Sequence, residues 1–210
     1  NSLKKQRVEA TNNLSRCILL QKKRIEQCEE MKNELSEIPS KRRTLLRAIS
    51  NCILDAKQYK ADVASQPPLS DSKAKAEYAN RRKAFREYLD ENLRSYILMP
   101  YEKELTVYHG FKIILPANMS EIHPYVWLKK NGSYRVELGD TEIGNLVRID
   151  NTLSTLDELC EKLNKQLEAL DDKEKELKNS LANPEDYTEM IEEYKEEVRM
   201  LDEKLGVDKK

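Results

Sequence analysis

Gly139 and Gly144 stand in a Gly-x4-Gly run, the spacing with which a P-loop wraps phosphate, in a chain that has only five glycines. A working P-loop needs a Lys directly after the second Gly to reach the β/γ-phosphates, then a Ser or Thr hydroxyl for magnesium. Asn145 and Leu146 occupy those places. The run therefore lacks the chemistry of a nucleotide site. Gly139, Gly144, Asn145, Asp150 and Asn151 read instead as a structural joint: Gly139 closes a strand, Gly144 lets the backbone turn, and Asp150 or Asn151 caps the helix that follows.

The other reactive residues do not assemble either. Cys17, Cys28, Cys52 and Cys160 include no pair at Cys-x2-Cys spacing, and His109 and His123 are far from all four in sequence. Each cysteine lies on or beside an apolar helical stripe, where a reduced thiol acts as a small hydrophobe. Neither histidine has a Ser or Cys near it. Asn183-Pro184-Glu185-Asp186 shares its first two residues with the Asn-Pro-Pro-Tyr loop of amino-methyltransferases, but the second Pro and the aromatic are missing. It reads as a helix stop and restart. No catalytic residue, metal or cofactor is expected.

Cations offer the remaining chemistry. Lys41, Arg42, Arg43 and Arg47 form one cluster, and Arg81, Arg82, Lys83 and Arg86 a second. Lys129, Lys130 and Arg148 make a weaker third. Several cations on one exposed face could hold nucleic acid by releasing its condensed counterions. The plainer reading is a solvated helix face matched by Glu on a neighbour.

These residues need elements to position them. Residues 3–37 follow a helical period, with Leu14, Ile18, Gln21, Ile25, Cys28 and Leu35 on one side. Pro39 is expected to stop that helix and Ser40 to cap a second over 41–64, carrying Leu45, Ile49, Cys52, Ile53, Ala56 and Tyr59. A short turn between two long helices predicts an antiparallel hairpin. After Pro67-Pro68, Asp71 or Ser72 starts a third helix running to about Leu98.

The period changes to that of strands at 106–115, 124–130 and 133–138, with Asn131-Gly132 as a type I′ hairpin signal. Tyr125, Trp127, Phe111 and Tyr134 are the expected packing residues of this small sheet. Then Leu153, Leu156, Cys160, Leu163, Leu167, Leu170, Leu177 and Leu181 form a heptad seam broken at Glu174. A last helix over 185–205 carries Tyr187, Met190, Tyr194, Val198, Leu201 and Leu205.

The expected fold class is therefore mainly α with a small antiparallel sheet (α+β): long helical hairpins and coiled coil around three strands. Three segments follow: 1–65 a helical hairpin, 66–150 a helix plus the sheet, and 151–210 coiled-coil helices. The composition, 36% charged with few glycines, agrees with long helices rather than a large globular core. Net charge is −1, but residues 1–100 carry 21 Lys+Arg against 13 Asp+Glu, and residues 101–210 carry 16 against 25. Either the two halves pair, or the first offers a basic surface to an acidic partner. No apolar run nears the ~20 residues needed to span a bilayer. A cytoplasmic setting with reduced thiols is expected, and the opening Asn-Ser within a helical pattern suggests an excised piece of a longer protein.

One order of residues resembles a known family. Tyr108-His109-Gly110-Phe111, Tyr134-Arg135-Val136-Glu137-Leu138-Gly139, Gly144-Asn145, Arg148-Ile149-Asp150-Asn151 and Leu153 follow one another. The sequence resembles the region after the motor in the large superfamily-two helicase/DNA-methylase-like proteins of conjugative elements and phages. There a "Y-x-G-F" strand, a "Y-x-v-e-l-G" strand, "G-N-x-x-R-i-D-N" and a Leu-rich coiled coil occur in that order. The resemblance implies a non-catalytic accessory module of an ATP-driven parent, engaging DNA, a protein partner or the rest of the parent helicase. The motifs of the motor and of the methylase are absent from these 210 residues. The alternative expectation is a coiled-coil interaction module, a homodimer included, with no nucleic-acid role.

Overall fold

The computed structural model describes residues 2–95, 99–119, 122–139 and 144–207. The chain is mainly helical with one four-stranded antiparallel sheet. In order come α1 (Ser2–Ser65), α2 (Ser72–Ser95), β1 (Lys103–Tyr108), β2 (Phe111–Leu115), β3 (Tyr125–Lys129), β4 (Ser133–Glu137), α3 (Gly144–Ser154), α4 (Leu156–Ala182) and α5 (Thr188–Leu205). Contacts divide the chain into two units, Asn1–Arg42 with Glu168–Lys210, and Arg43–Leu167. These units cut across the three segments set out from the sequence.

The expected hairpin at Pro39 is corrected. α1 is one helix of 64 residues with Pro39 inside it. The reason lies in the seam. Ala10, Leu14, Cys17, Gln21, Arg24, Cys28, Met31, Leu35, Ile38, Arg42, Leu45, Ile49, Cys52, Ala56 and Tyr59 alternate steps of four and three, and all are buried or half-buried. Pro39 is exposed beside that stripe. It removes one helical hydrogen bond and crowds the carbonyl of Leu35, but the heptad phase passes it unbroken, so packing on both sides keeps the helix going. Ser40 lies inside this helix rather than at the start of a second. Ile18, Ile25 and Ile53, expected on the apolar side, are about half exposed at 49%, 53% and 52%. The seam passes beside them.

In the first unit, α1 lies against the end of α4 and against α5. As partners descend α1 from Arg42 to Arg24, Gln21 and Arg7, those opposite climb from Asp171 to Ser180, Asp186 and Asp202. The arms are therefore antiparallel. In α5 the half-buried or buried positions are Ile191, Tyr194, Val198, Leu201, Asp202 and Leu205, and Met190 is exposed. Asp186 starts that helix, its Oδ1 accepting from the Thr188 amide at 2.9 Å and the Thr188 hydroxyl at 2.6 Å.

In the second unit the sheet is a meander in the order β1-β2-β3-β4. It has four strands where three were expected, because the 106–115 stretch folds back at His109-Gly110. Tyr108 pairs with Phe111 across that two-residue turn, and φ is 49° at His109 and 77° at Gly110. Positive φ at both central residues is the type I′ arrangement, which glycine takes without strain. The Asn131-Gly132 connection joins β3 to β4 as expected, but neither residue has positive φ and three residues separate the paired Lys129 and Ser133. It is not a type I′ turn. Its shape comes from Asp55, described below.

Phe111, Ile113, Leu115, Val126, Leu128, Tyr134 and Val136 turn one sheet face into the core. Cys52 and Ala56 of α1, Leu89 and Leu93 of α2, Leu146, Ile149 and Leu153 of α3, and Leu156 and Cys160 of α4 meet them there. Tyr125 and Trp127 fall on the alternate positions and are only half-buried. α2 begins where expected, Asp71 Oδ1 accepting from the Ala74 amide at 2.7 Å; Tyr96–Leu98, expected to end that helix, lie outside the described residues, as do Asp140–Ile143 of the glycine joint.

Candidate functional site

Two carboxylates organise the second unit, and both sit on helices. Asp55 is the buried charged residue of the core, wholly withdrawn from solvent on α1. Its Oδ1 accepts from the Asn131 amide at 3.2 Å and from Asn131 Nδ2 at 2.8 Å. Its Oδ2 accepts from the Gly132 amide at 2.8 Å and the Tyr134 hydroxyl at 2.7 Å. Four donors on one carboxylate offset its desolvation and mould the β3–β4 turn around it. A Cβ at Gly132 would come within 2.5 Å of the Tyr134 hydroxyl oxygen, so glycine is needed here for space. Burial, then the bond to Asp55, pushes the Tyr134 phenol well above its ordinary range.

Asp150 is the second carboxylate. It lies within α3 rather than ahead of it, which corrects its expected role as a helix cap. Asn151 also lies within α3, its carbonyl accepting from the Thr155 amide at 3.1 Å just ahead of α4. Asp150 Oδ1 accepts from the Tyr108 hydroxyl at 2.7 Å, and Oδ2 pairs with the Arg82 guanidinium. The hydrogen bond to Asp150 raises Arg82 further above its ordinary value, and burial first, then Asp150, raises the Tyr108 phenol far above its own. Tyr108 is thus held as a hydrogen-bond donor to Asp150.

Beside this pair runs a groove of about 800 Å³, walled by Pro67, Tyr78, Arg81, Phe85, Val107 and Tyr108. Phe85 stacks on Tyr108 with ring centroids 5.1 Å apart and planes at 16°. His109, at the β1–β2 turn, meets the rings of Tyr108 and Tyr59 edge-on at 4.4 and 5.3 Å. Its Nδ1 bonds the Asp62 carboxylate, which requires the proton on that nitrogen. The groove offers planar apolar walls and, besides Arg82, the cation Arg81, whose side chain is 81% exposed.

The structure disperses the predicted cations. Lys41 pairs with Glu37 at 2.6 Å, and Arg42 with Asp171 at 2.7 Å and with Glu174. Lys129 pairs with Glu102 at 2.7 Å, while Arg81 and Lys83 sit 3.9 Å from Glu77 and Glu87. Lys130 lies over the Phe111 ring, its Nζ 5.0 Å from the centroid. Arg148 flanks Gly139, its guanidinium 3.0 Å from where a Cβ would stand. Arg43, Arg47 and Arg86 are exposed and make no ion pair among the described residues. Arg43 and Arg47 are one helical turn apart.

Of the glycine joint, Gly139 and Gly144–Asn151 are among the described residues. Asn145 Oδ1 accepts from the Gly139 amide at 3.1 Å, and its Nδ2 donates to Asp90 at 3.0 Å. Gly144 opens α3 at φ 73° with the Arg86 side chain 3.2 Å from its missing Cβ.

Asp55 and Asp62 are not among the residues the sequence singles out. Asp55 carried a usable signal: an acid between seam positions Cys52 and Ala56 must answer to buried donors. Among the described residues no group of three or more His, Cys, Asp or Glu could hold a metal ion, and no helix is long and apolar enough to cross a membrane. Compared with known proteins, the chain matches no protein-family model, no curated protein and no solved structure.

Proposed function

We propose that the chain is a non-catalytic accessory module, the role that resemblance to the post-motor region of helicase/methylase-like proteins implies. It engages DNA or a protein partner through surfaces rather than performing a reaction. The observation that carries this reading is the use already made of its polar side chains. Asp55, Asp150, Arg82, Tyr108 and Tyr134 each serve the packing of the second unit. The seams of the first unit are answered inside the chain, Arg42 by Asp171 and Glu174 and Gln21 by the 186–187 turn.

Nucleic-acid contact then falls to Arg43, Arg47 and Arg86, exposed cations without an ion pair among the described residues, with Lys130. Four phosphate contacts give a slope of log affinity against log salt of about −3.6, at about 0.9 per phosphate. A fluorescence titration with duplex DNA from ~50 mM salt upward tests this, and R43E/R47E should abolish most of the binding. No binding at the lowest salt removes the DNA part of the reading.

The protein-partner reading is favoured by a different observation. Val8, Ile18, Leu19 and Ile25 leave 49–56% of their surface exposed on α1, outside the closed seam. Light scattering separates a second copy from a foreign partner: a monomer at high concentration excludes the homodimer.

A further inference from the structure

We propose that Cys52 and Cys160 are a convertible thiol pair, oxidised by a small-molecule disulfide to a cross-link between α1 and α4. The two sulfurs are 2.7 Å apart although 108 residues separate them in sequence. Both are buried, 1% and 8% exposed, at facing positions of two helical seams within the second unit. The two sulfurs that oxidation would join are therefore already in contact. Cys17 and Cys28 provide the internal contrast. They are eleven residues apart on one helix, about 16 Å at 1.5 Å per residue, beyond the reach of a disulfide.

The order of attack follows from the hydrogen bonds. Cys160 donates to the Cys52 sulfur, and Cys52 donates to the Leu156 carbonyl at 3.3 Å. Burial, then the bond to Cys160, pushes the Cys52 thiol up to about 12, so that it keeps its proton at neutral pH. Cys160, closer to the surface, attacks first. Its thiolate adds to one sulfur of R–S–S–R, forming a mixed disulfide and expelling one RS⁻, which takes up a proton. Cys52 then loses its proton and attacks the Cys160 sulfur, expelling the second thiol. Two S–H bonds of the protein become one S–S bond, and the small disulfide takes two electrons and two protons to give two R–SH. Closing so long a loop limits the unfolded chain, and the oxidised form is the more stable.

Oxidised glutathione, added to the folded full-length chain, is the probe. Titratable thiols should fall from four to two, the mass should drop by two hydrogens, and peptide mapping should join the segments holding Cys52 and Cys160. The melting temperature should rise by roughly 5 °C or more, and a reductant should reverse every change. In C52S, Cys160 should stop at the mixed disulfide; in C160S, Cys52 should remain a free thiol. Four thiols persisting in the natural chain while C52S acquires its adduct would overturn the proposal. So would a cross-link that lowers the melting temperature. Should either variant fold poorly, the thiol count and peptide map of the natural chain decide alone.

Discussion

The two units place charge beside apolar packing in opposite ways. In Asn1–Arg42 with Glu168–Lys210, the polar members of the seam are long and half-exposed: Arg7, Gln21, Arg24 and Arg42 reach partners at the rim of a two-helix contact. In Arg43–Leu167 the organising acids are short, Asp55 withdrawn from water and Asp150 half-buried, and each gathers donors from a strand or turn far away in sequence. A rim pair gains little, because water competes for both ions and salt screens them. A buried carboxylate with four donors is costly to disturb, since its loss strands every donor at once. One unit uses charge to choose a register, the other to hold a single shape.

Replacing Asp55 by Ala should have the largest effect. It leaves the Asn131 and Gly132 amides and the Tyr134 hydroxyl without an acceptor, a loss of about 3–5 kcal/mol. Trp127 is the only tryptophan and lies in the second unit, so urea unfolding followed by its fluorescence measures this directly. An unchanged midpoint would erase the contrast between the units. Next comes Pro39→Ala, which should stabilise by about 1–3 kcal/mol if the helix passes straight through. Helical circular dichroism reads that gain; a neutral or harmful result would restore the turn expected from the sequence.

Asp150→Asn should then cost about 1–2 kcal/mol in the Trp127 transition, since Tyr108 keeps an acceptor but Arg82 loses its counter-charge. The smallest effect belongs to the rim. Hydrogen bonds from Lys178, then Arg42, hold the Glu174 carboxyl down to about 2 in place of 4.5. A folded value below the unfolded one adds stability above pH 4.5 that disappears as the pH falls from 4.5 towards 2. Glu174→Gln should flatten that acid limb of the helical signal, and high salt should shrink the difference in the natural chain.

The sequence made the helices, the α4 seam and the β3–β4 hairpin legible, because each rests on a period that neighbours in the chain reveal. It misjudged Pro39 because a local rule was weighed against a local pattern. The decisive fact was a heptad phase running from Ala10 to Tyr59, with Arg24 and Arg42 as members. Those arginines look like surface until their partners across the coil are known. Asp150 looked like a cap for the same reason: its claim on Arg82 and Tyr108 spans 68 and 42 residues. The split of the 106–115 stretch was readable from His109-Gly110, a pair able to take positive φ at both places. The groove walled by Tyr78 and Phe85 was not, since it forms only when β1 settles beside α2.

The polar residues spaced along the first seam also set a rule for changes in length. Arg7, Gln21, Arg24 and Arg42 behave like notches on a ruler, each fitting one tooth on the returning strand of the coil. Deleting seven residues from one arm would preserve every apolar step and still slide Arg42 away from Asp171 and Glu174. Tolerated insertions and deletions should therefore come as matched sevens on both arms, never on one.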